Sequence, residues 1–323
     1  MKKAIAFFLL LFVLGLTACS TQETLPTRTP LPPLTTTSTP VPSLTASPVP
    51  TEPEATSTPT PSAQLLFRSG FEEGVYIDTT PVVDSEDYRF IRGTDSESGF
   101  TWPIEILGAS ESALHFIEDD HHRAVDAEIQ EVIGHDGKPT KALYQVENYI
   151  YNDSCTQAPY EILNIQDGKE DLYIRYWIKL DDNNLQIPYS WRTFFEWKSK
   201  DYAEGSGFRL ISFIYTDENG HPFWHWEGDT DPDHVVWEID NTEIPVPMGE
   251  WFLTEFYWHW SEGDDGEALW MVNGEVIGDH FGPTTQNGKP IDFIMLTQIY
   301  GNANPKHQWV DDIEIWDGIP YER

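Results

Sequence analysis

From Leu172 to Lys179 the chain alternates residue by residue, with Leu172, Ile174, Tyr176 and Ile178 on one side and Tyr173, Arg175, Trp177 and Lys179 on the other. Successive side chains of a strand point to opposite faces, so such a run lays an apolar row on a core and turns the second row outward. Trp191 to Lys198, Phe208 to Tyr215, Trp251 to Trp260, Ile291 to Tyr300 and Trp309 to Trp316 behave alike. Ala268 to Asn273 and Val276 to His280 flank Asn273-Gly274, two residues that tolerate the positive φ of a tight hairpin. Helical periodicity is almost absent beyond residue 64, and Gly, Asn, Asp and Pro punctuate roughly a dozen or more short runs. The pattern predicts an all-β sandwich of two antiparallel sheets.

The first 63 residues read differently. Lys2 and Lys3 precede an apolar run from Ala4 to Gly15, too short to be a comfortable permanent span and of the length of a cleaved signal. It ends in Leu16-Thr17-Ala18-Cys19, which resembles the lipobox of bacterial lipoproteins. The resemblance implies acylation of Cys19 and an extracytoplasmic protein anchored through that lipid to the cell membrane or envelope surface. Residues 20–63 are almost entirely Thr, Pro and Ser, a composition that buries too little surface to offset chain entropy. Closely spaced prolines favour extended polyproline geometry at ~3.1 Å per residue, so this disordered linker is expected to reach on the order of 100 Å. Three parts follow: a signal peptide over 1–19, a linker over 20–63 and one domain over 64–323.

Of the 19 basic and 54 acidic residues, only Lys2, Lys3, Arg28, Glu23, Glu52 and Glu54 precede the domain, leaving 16 against 51. Such a field repels nucleic acid and other polyanions, which excludes nucleic-acid binding. Surplus carboxylates keep a secreted protein soluble and offer oxygen ligands to calcium. With Cys19 lipidated, Cys155 has no disulfide partner, and no triad-like neighbours accompany it. The core must therefore be aromatic, and most of the 13 Trp, 14 Tyr and 17 Phe lie in the domain. No internal repeat or second linker divides it, and a monomer is expected.

The domain opens with Ser69-Gly70-Phe71-Glu72-Glu73-Gly74 and closes with Trp309-Val310-Asp311-Asp312-Ile313-Glu314-Ile315-Trp316. Between them stand Gly249-Glu250-Trp251 and Trp270-Met271-Val272-Asn273-Gly274. This order resembles the concanavalin A-like jelly roll of laminin-G-type modules, lectins and heparin-lyase-like polysaccharide lyases. The resemblance implies that first and last strands lie side by side. Glu72 or Glu73 would then meet Asp311 or Asp312 and hold a structural Ca2+ that locks the chain ends together.

Strict alternation places Arg192, Glu196, Glu255, Tyr257, His259, Gln298 and Tyr300 on one polar, aromatic-edged surface. Such a surface suits sugars, whose apolar faces stack on rings while hydroxyls meet charged groups. Phe223-Trp224-His225-Trp226 sets Trp224 and Trp226 on one face, either as a groove rim or as core. The same surface has the parts for β-elimination: Arg192 and Gln298 to stabilise a uronate carboxylate, and His259 or Tyr300 to move protons. Gln298-Ile299-Tyr300 resembles the Gln-X-His or Gln-X-Tyr pieces of lyases of this fold, and His307 follows closely. Glu238-Ile239-Asp240-Asn241-Thr242-Glu243 resembles the carboxylate strand of family 16 glucanases, although Asn241 and Thr242 replace apolar positions and a turn approaches. Glu118-Asp119-Asp120-His121-His122 offers metal-ligand types, but adjacent histidines point apart in an extended chain. The functional expectation is a surface-anchored carbohydrate-binding module that recognises a polysaccharide. The alternatives are a lyase acting on a uronate-containing glycan and an adhesion module without a small ligand.

Overall fold

The computed structural model describes residues 63–78, 88–102, 112–115, 118–119, 122–123, 125–147, 162–164, 169–181, 187–199, 202, 205–231, 233–288, 291–295, 301 and 306–321. The lipobox, linker residues 20–62, Cys155, Gln298 and Tyr300 lie outside the described residues.

Among the described residues the strands form two large sheets, and sheet I has eight of them: β1 (Leu65–Ser69), β8 (Val125–Ile133), β9 (Pro139–Glu147), β11 (Asp171–Leu180), β16 (Trp251–His259), β17 (Glu267–Val272), β18 (Glu275–Phe281) and β20 (Lys306–Trp316). Sheet II has ten: β2 (Val75–Asp78), β3 (Tyr88–Thr94), β4 (Thr101–Trp102), β5 (Ser112–His115), β10 (Ile162–Asn164), β12 (Trp191–Ser199), β13 (Arg209–Thr216), β14 (Pro222–Asp231), β15 (His234–Asn241) and β19 (Ile291–Met295). β6 (Glu118–Asp119) and β7 (His122–Arg123) form a small separate hairpin over the Asp/His run. The chain crosses repeatedly between the two sheets, as a jelly roll does, and sheet I runs β18-β17-β16-β11-β20-β9-β8. Sheet II runs β15-β14-β13-β12-β19-β10-β5-β3-β2. β1 pairs antiparallel with the C-terminal half of β20, Ser69 opposite Ile313, so the expected meeting of first and last strands is present.

Alternation decides what each strand buries. Leu172, Ile174, Tyr176 and Ile178 of β11 are buried in the core, as are Phe252, Phe256 and Trp258 of β16. Sheet II answers with Phe194, Phe195, Trp197, Trp224 and Trp226. Trp224 meets Trp270 edge to face at 5.0 Å, and Trp197 stacks on Trp258 at 5.5 Å. Trp270 Nε1 donates to Thr254 Oγ1 at 3.0 Å, giving the buried indole a partner. Full burial of each such ring contributes about 1.5–3 kcal/mol, so these rings replace what disulfides do in smaller folds. The Asn273-Gly274 hairpin forms as expected, with φ of 51° and 79°.

One irregularity redirects a whole strand. In β12, Thr193 pairs with Phe213 but Phe195 pairs with the next residue back, Ser212, so Phe194 is an inserted bulge residue. Phe194 and Phe195 both enter the core. Residues before the bulge therefore keep one phase and residues after it take the other.

Candidate functional site

The bulge overturns the single polar surface expected from alternation. Arg192 precedes it, and its side chain turns inward and is fully buried. Its Nη2 donates across the sandwich to Gln308 on β20, and Gln308 Nε2 donates on to Gln145 of β9 at 2.7 Å. Glu196 follows the bulge and stands on the outer face of sheet II with Lys198 and Arg209. Glu255, Tyr257 and His259 belong to β16 and stand on the outer face of sheet I, with the whole core between them and Glu196. The proposed lyase set is thus split: Arg192 is internal, His259 lies on the opposite sheet, and Gln298 and Tyr300 fall outside the described residues. Trp224 and Trp226 are not a rim. At 0% and 1% exposed they are core residues, because their face of β14 is the inward one.

On sheet I the expected residues are committed to local partners. Tyr173 and Tyr321 hydroxyls both donate to Glu255 Oε1, and Tyr321 covers the carboxylate from the C-terminal segment. Burial, then Glu255, push the Tyr173 phenol far above its ordinary value. Tyr257 donates to Asp171 at 2.6 Å, and His259 Nδ1 lies 3.0 Å from the same carboxylate. His307 sits at the far end of β11 from His259, with Nδ1 2.6 Å from the Tyr144 hydroxyl. Burial depresses its pKa.

The chain-end acids converge in part. Asp311 Oδ1 and Asp312 Oδ1 lie beside Gly70, close to the Glu72 side chain. Thr140 Oγ1 donates to Glu72 at 2.6 Å and approaches Asp311 at 3.4 Å. Burial, with Asp312 and Glu72 nearby, pushes the Asp311 carboxyl up to about 8. Asp312 also meets His135, whose ring stacks on Trp177 at 3.9 Å. Glu73 differs: its side chain is exposed and its carbonyl accepts from Ser96.

The richest constellation is the outer face of sheet II, which the polar half of β14 opens. His225, Glu227 and Asp229 alternate with the inward Trp224, Trp226 and Gly228. Arg209, opposite Asp229 on β13, donates through Nε to Asp229 Oδ2 at 3.0 Å and through Nη2 to the same oxygen. Glu196 and Glu227 lie 3.6 and 3.9 Å from the same guanidinium, and Tyr202 lies under it. Burial opposes the charge of Arg209, but Glu196, Tyr202 and Asp229 outweigh it and hold its pKa well above normal. Burial raises the Asp229 carboxyl, with Arg209 opposing. Lys198 Nζ is 2.6 Å from Glu196 and lies over the Tyr202 ring.

One strand outward, β15 sets Asp240 opposite His225 and Glu238 opposite Glu227. His225 Nδ1 is 2.7 Å from Asp240 and Nε2 is 2.9 Å from Glu227. Burial would lower this imidazole, but Asp240 and Glu227 prevail and push it up to about 9. Rings continue the row along the strands: Phe213 touches Trp191 at 6.0 Å, Tyr215 at 5.4 Å and His225 at 5.8 Å. In Phe223-Trp224-His225-Trp226-Glu227-Gly228-Asp229 the sequence signal for this face is the polar alternation His225, Glu227, Asp229, not the two tryptophans.

No protein-family model and no curated protein matches the chain. Among solved structures it is similar to the alginate lyase Aly36B, with TM-score 0.45 and 15% identity over 58% of this chain and 82% of that one. It is also similar to an endo-β-1,4-glucuronan lyase from the fungus Trichoderma reesei (TM-score 0.44, 11% identity, 62% and 89% covered). The cellulose induced protein Cip1 is a third (TM-score 0.38, 15% identity, 62% and 90% covered). Likeness of this extent assigns no activity.

Proposed function

We propose that this protein binds a polysaccharide along the outer face of sheet II. One observation carries it: Trp191, Phe213, Tyr215 and His225 form a continuous row of rings on β12, β13 and β14, bordered by Glu196, Lys198, Arg209, Glu227 and Asp229. The half-buried Trp191 and Tyr215 give stacking surface for the apolar faces of sugars, backed by the buried Phe213 and His225, and charged groups fixed by one another give oriented partners for hydroxyls at little ordering cost. In this arrangement the lipid at Cys19 and the 20–63 linker hold the domain out from a membrane or envelope. Calcium at Glu72, Asp311 and Asp312 fits the donor chemistry, since a buried carboxylate beside two others gains a counter-ion there.

Glycan-affinity electrophoresis against a panel of neutral and uronate-containing polysaccharides tests the binding. Retardation by at least one glycan, reduced in Trp191→Ala and Tyr215→Ala, is the expected result. Equal mobility across the panel would remove the proposal.

β-Elimination is the second reading, favoured by Lys198, a cation with 23% of its side chain exposed on the same face. It would meet a uronate carboxylate in the place first assigned to Arg192. Absorbance of the unsaturated uronate product, present in the wild type and lost in Lys198→Met, would choose elimination over binding alone.

A further inference from the structure

We infer that His225, Glu227 and Glu238 form a binding site for a divalent transition-metal ion of the zinc class, on the outer margin of sheet II. One ligand atom from each of the three residues lies within 4.8 Å of the others, the one such set among the described residues. The set is built by the sheet rather than by a loop. His225 and Glu227 are two residues apart on β14 and so share a face, while Glu238 is the direct cross-strand partner of Glu227. A tetrahedral ion with bonds of 2.0–2.2 Å needs its ligand atoms ~3.3 Å apart, and His225 Nε2 already lies 2.9 Å from Glu227. The remaining separations, at most 4.8 Å, would shorten on binding.

The surroundings point to an ion independently of that spacing. Asp240 holds Nδ1 of His225 at 2.7 Å, which fixes the ring and aims Nε2 at the two glutamates. A carboxylate behind a histidine is the usual way a metal-binding imidazole is oriented and made more basic. The face carries five carboxylates, from Glu196, Glu227, Asp229, Glu238 and Asp240, against Lys198, Arg209 and the His225 ring. That surplus favours a bound cation. Glu238 is exposed on the edge strand β15, so an ion can enter from solvent and keep an open coordination position. The donor set decides the class: an imidazole nitrogen selects zinc or its neighbours over calcium and magnesium, which prefer oxygen alone. On binding, the ion takes the place at Nε2 that a shared proton occupies, and that proton passes to solvent. The site would share His225 with the end of the ring row, yet its existence does not depend on any glycan being bound there.

The test is a titration of Zn2+ into chelator-stripped, full-length protein, with a competing chromophoric chelator reporting the free ion. One saturable equivalent is expected, undiminished by excess Ca2+. Glu238→Gln, at an exposed position where folding is not at stake, should weaken it at least about tenfold, as should Asp240→Asn. Glu243→Gln, in the following turn, should leave it unchanged. X-ray absorption of the loaded protein should show a nitrogen and oxygen shell containing one imidazole. Absence of saturable uptake overturns the proposal. So does uptake that Glu238→Gln leaves intact, which would put the ion at another cluster.

Discussion

Phe195 of β12 and Phe256 of β16 stack with their centroids 4.0 Å apart and their planes 11° from parallel, one ring from each sheet. Both are essentially inaccessible to solvent, and Phe256 also stacks on Trp270 at 5.5 Å. The pair clamps the sandwich at the bulge that sets the phase of β12. Phe256→Ala removes the shared surface and leaves a cavity among rings that cannot collapse around it. We expect a loss of about 3–5 kcal/mol in urea unfolding, with no change in which face binds a ligand.

Arg192 is a structural residue on this geometry. Arg192→Leu should cost about 1–3 kcal/mol, because Gln308 loses a buried partner and the Gln308–Gln145 pair is left to reorganise. Glycan binding or elimination by the surviving folded protein should be unaltered. A selective loss of activity at unchanged stability would return Arg192 to the functional surface.

The ring row predicts the opposite split. Trp191→Ala and Tyr215→Ala, both at half-buried outer positions, should weaken glycan binding about tenfold, about 1.4 kcal/mol. Stability should change little, so affinity and melting temperature separate the two classes of variant.

Gly228 tests the packing behind the candidate metal site. A Cβ there would lie 2.5 Å from the Trp237 ring, which itself stacks on His280 at 4.2 Å. Gly228→Ala should destabilise by about 1–3 kcal/mol, since the ring must give up its stacking on His280 to make room, and chemical denaturation measures it.

Asp217 supplies the pH dependence. Its carboxylate accepts from the backbone of His221 at 2.9 Å and of Asn219 at 2.7 Å, closing the turn between β13 and β14. These bonds, the His221 one first, hold its pKa at about 2 instead of 3.8. A depressed pKa in the folded state adds stability that is present above 3.8 and lost as the pH falls towards 2. Carboxyl NMR should place the midpoint near 2, and Asp217→Asn should abolish that part of the acid sensitivity.

Alternation of apolar and polar residues determined the all-β class, eight of the strands from β11 onward and the aromatic core of this protein, because those depend on which side chains seek burial within one strand, while the Asn273-Gly274 hairpin rested on two residues that tolerate positive φ. The meeting of first and last strands was legible only through the family resemblance that the opening, middle and closing motifs carry together. Which strands share a sheet is a matter of long-range pairing that no local pattern encodes, and tertiary structure alone separated Glu196 from Glu255 and His259 by the thickness of a core. The Phe194 bulge completed the difference. One inserted residue reversed the facing of half a strand, burying Arg192 and leaving Lys198 and Arg209 to share the outer face with His225, Glu227 and Glu238.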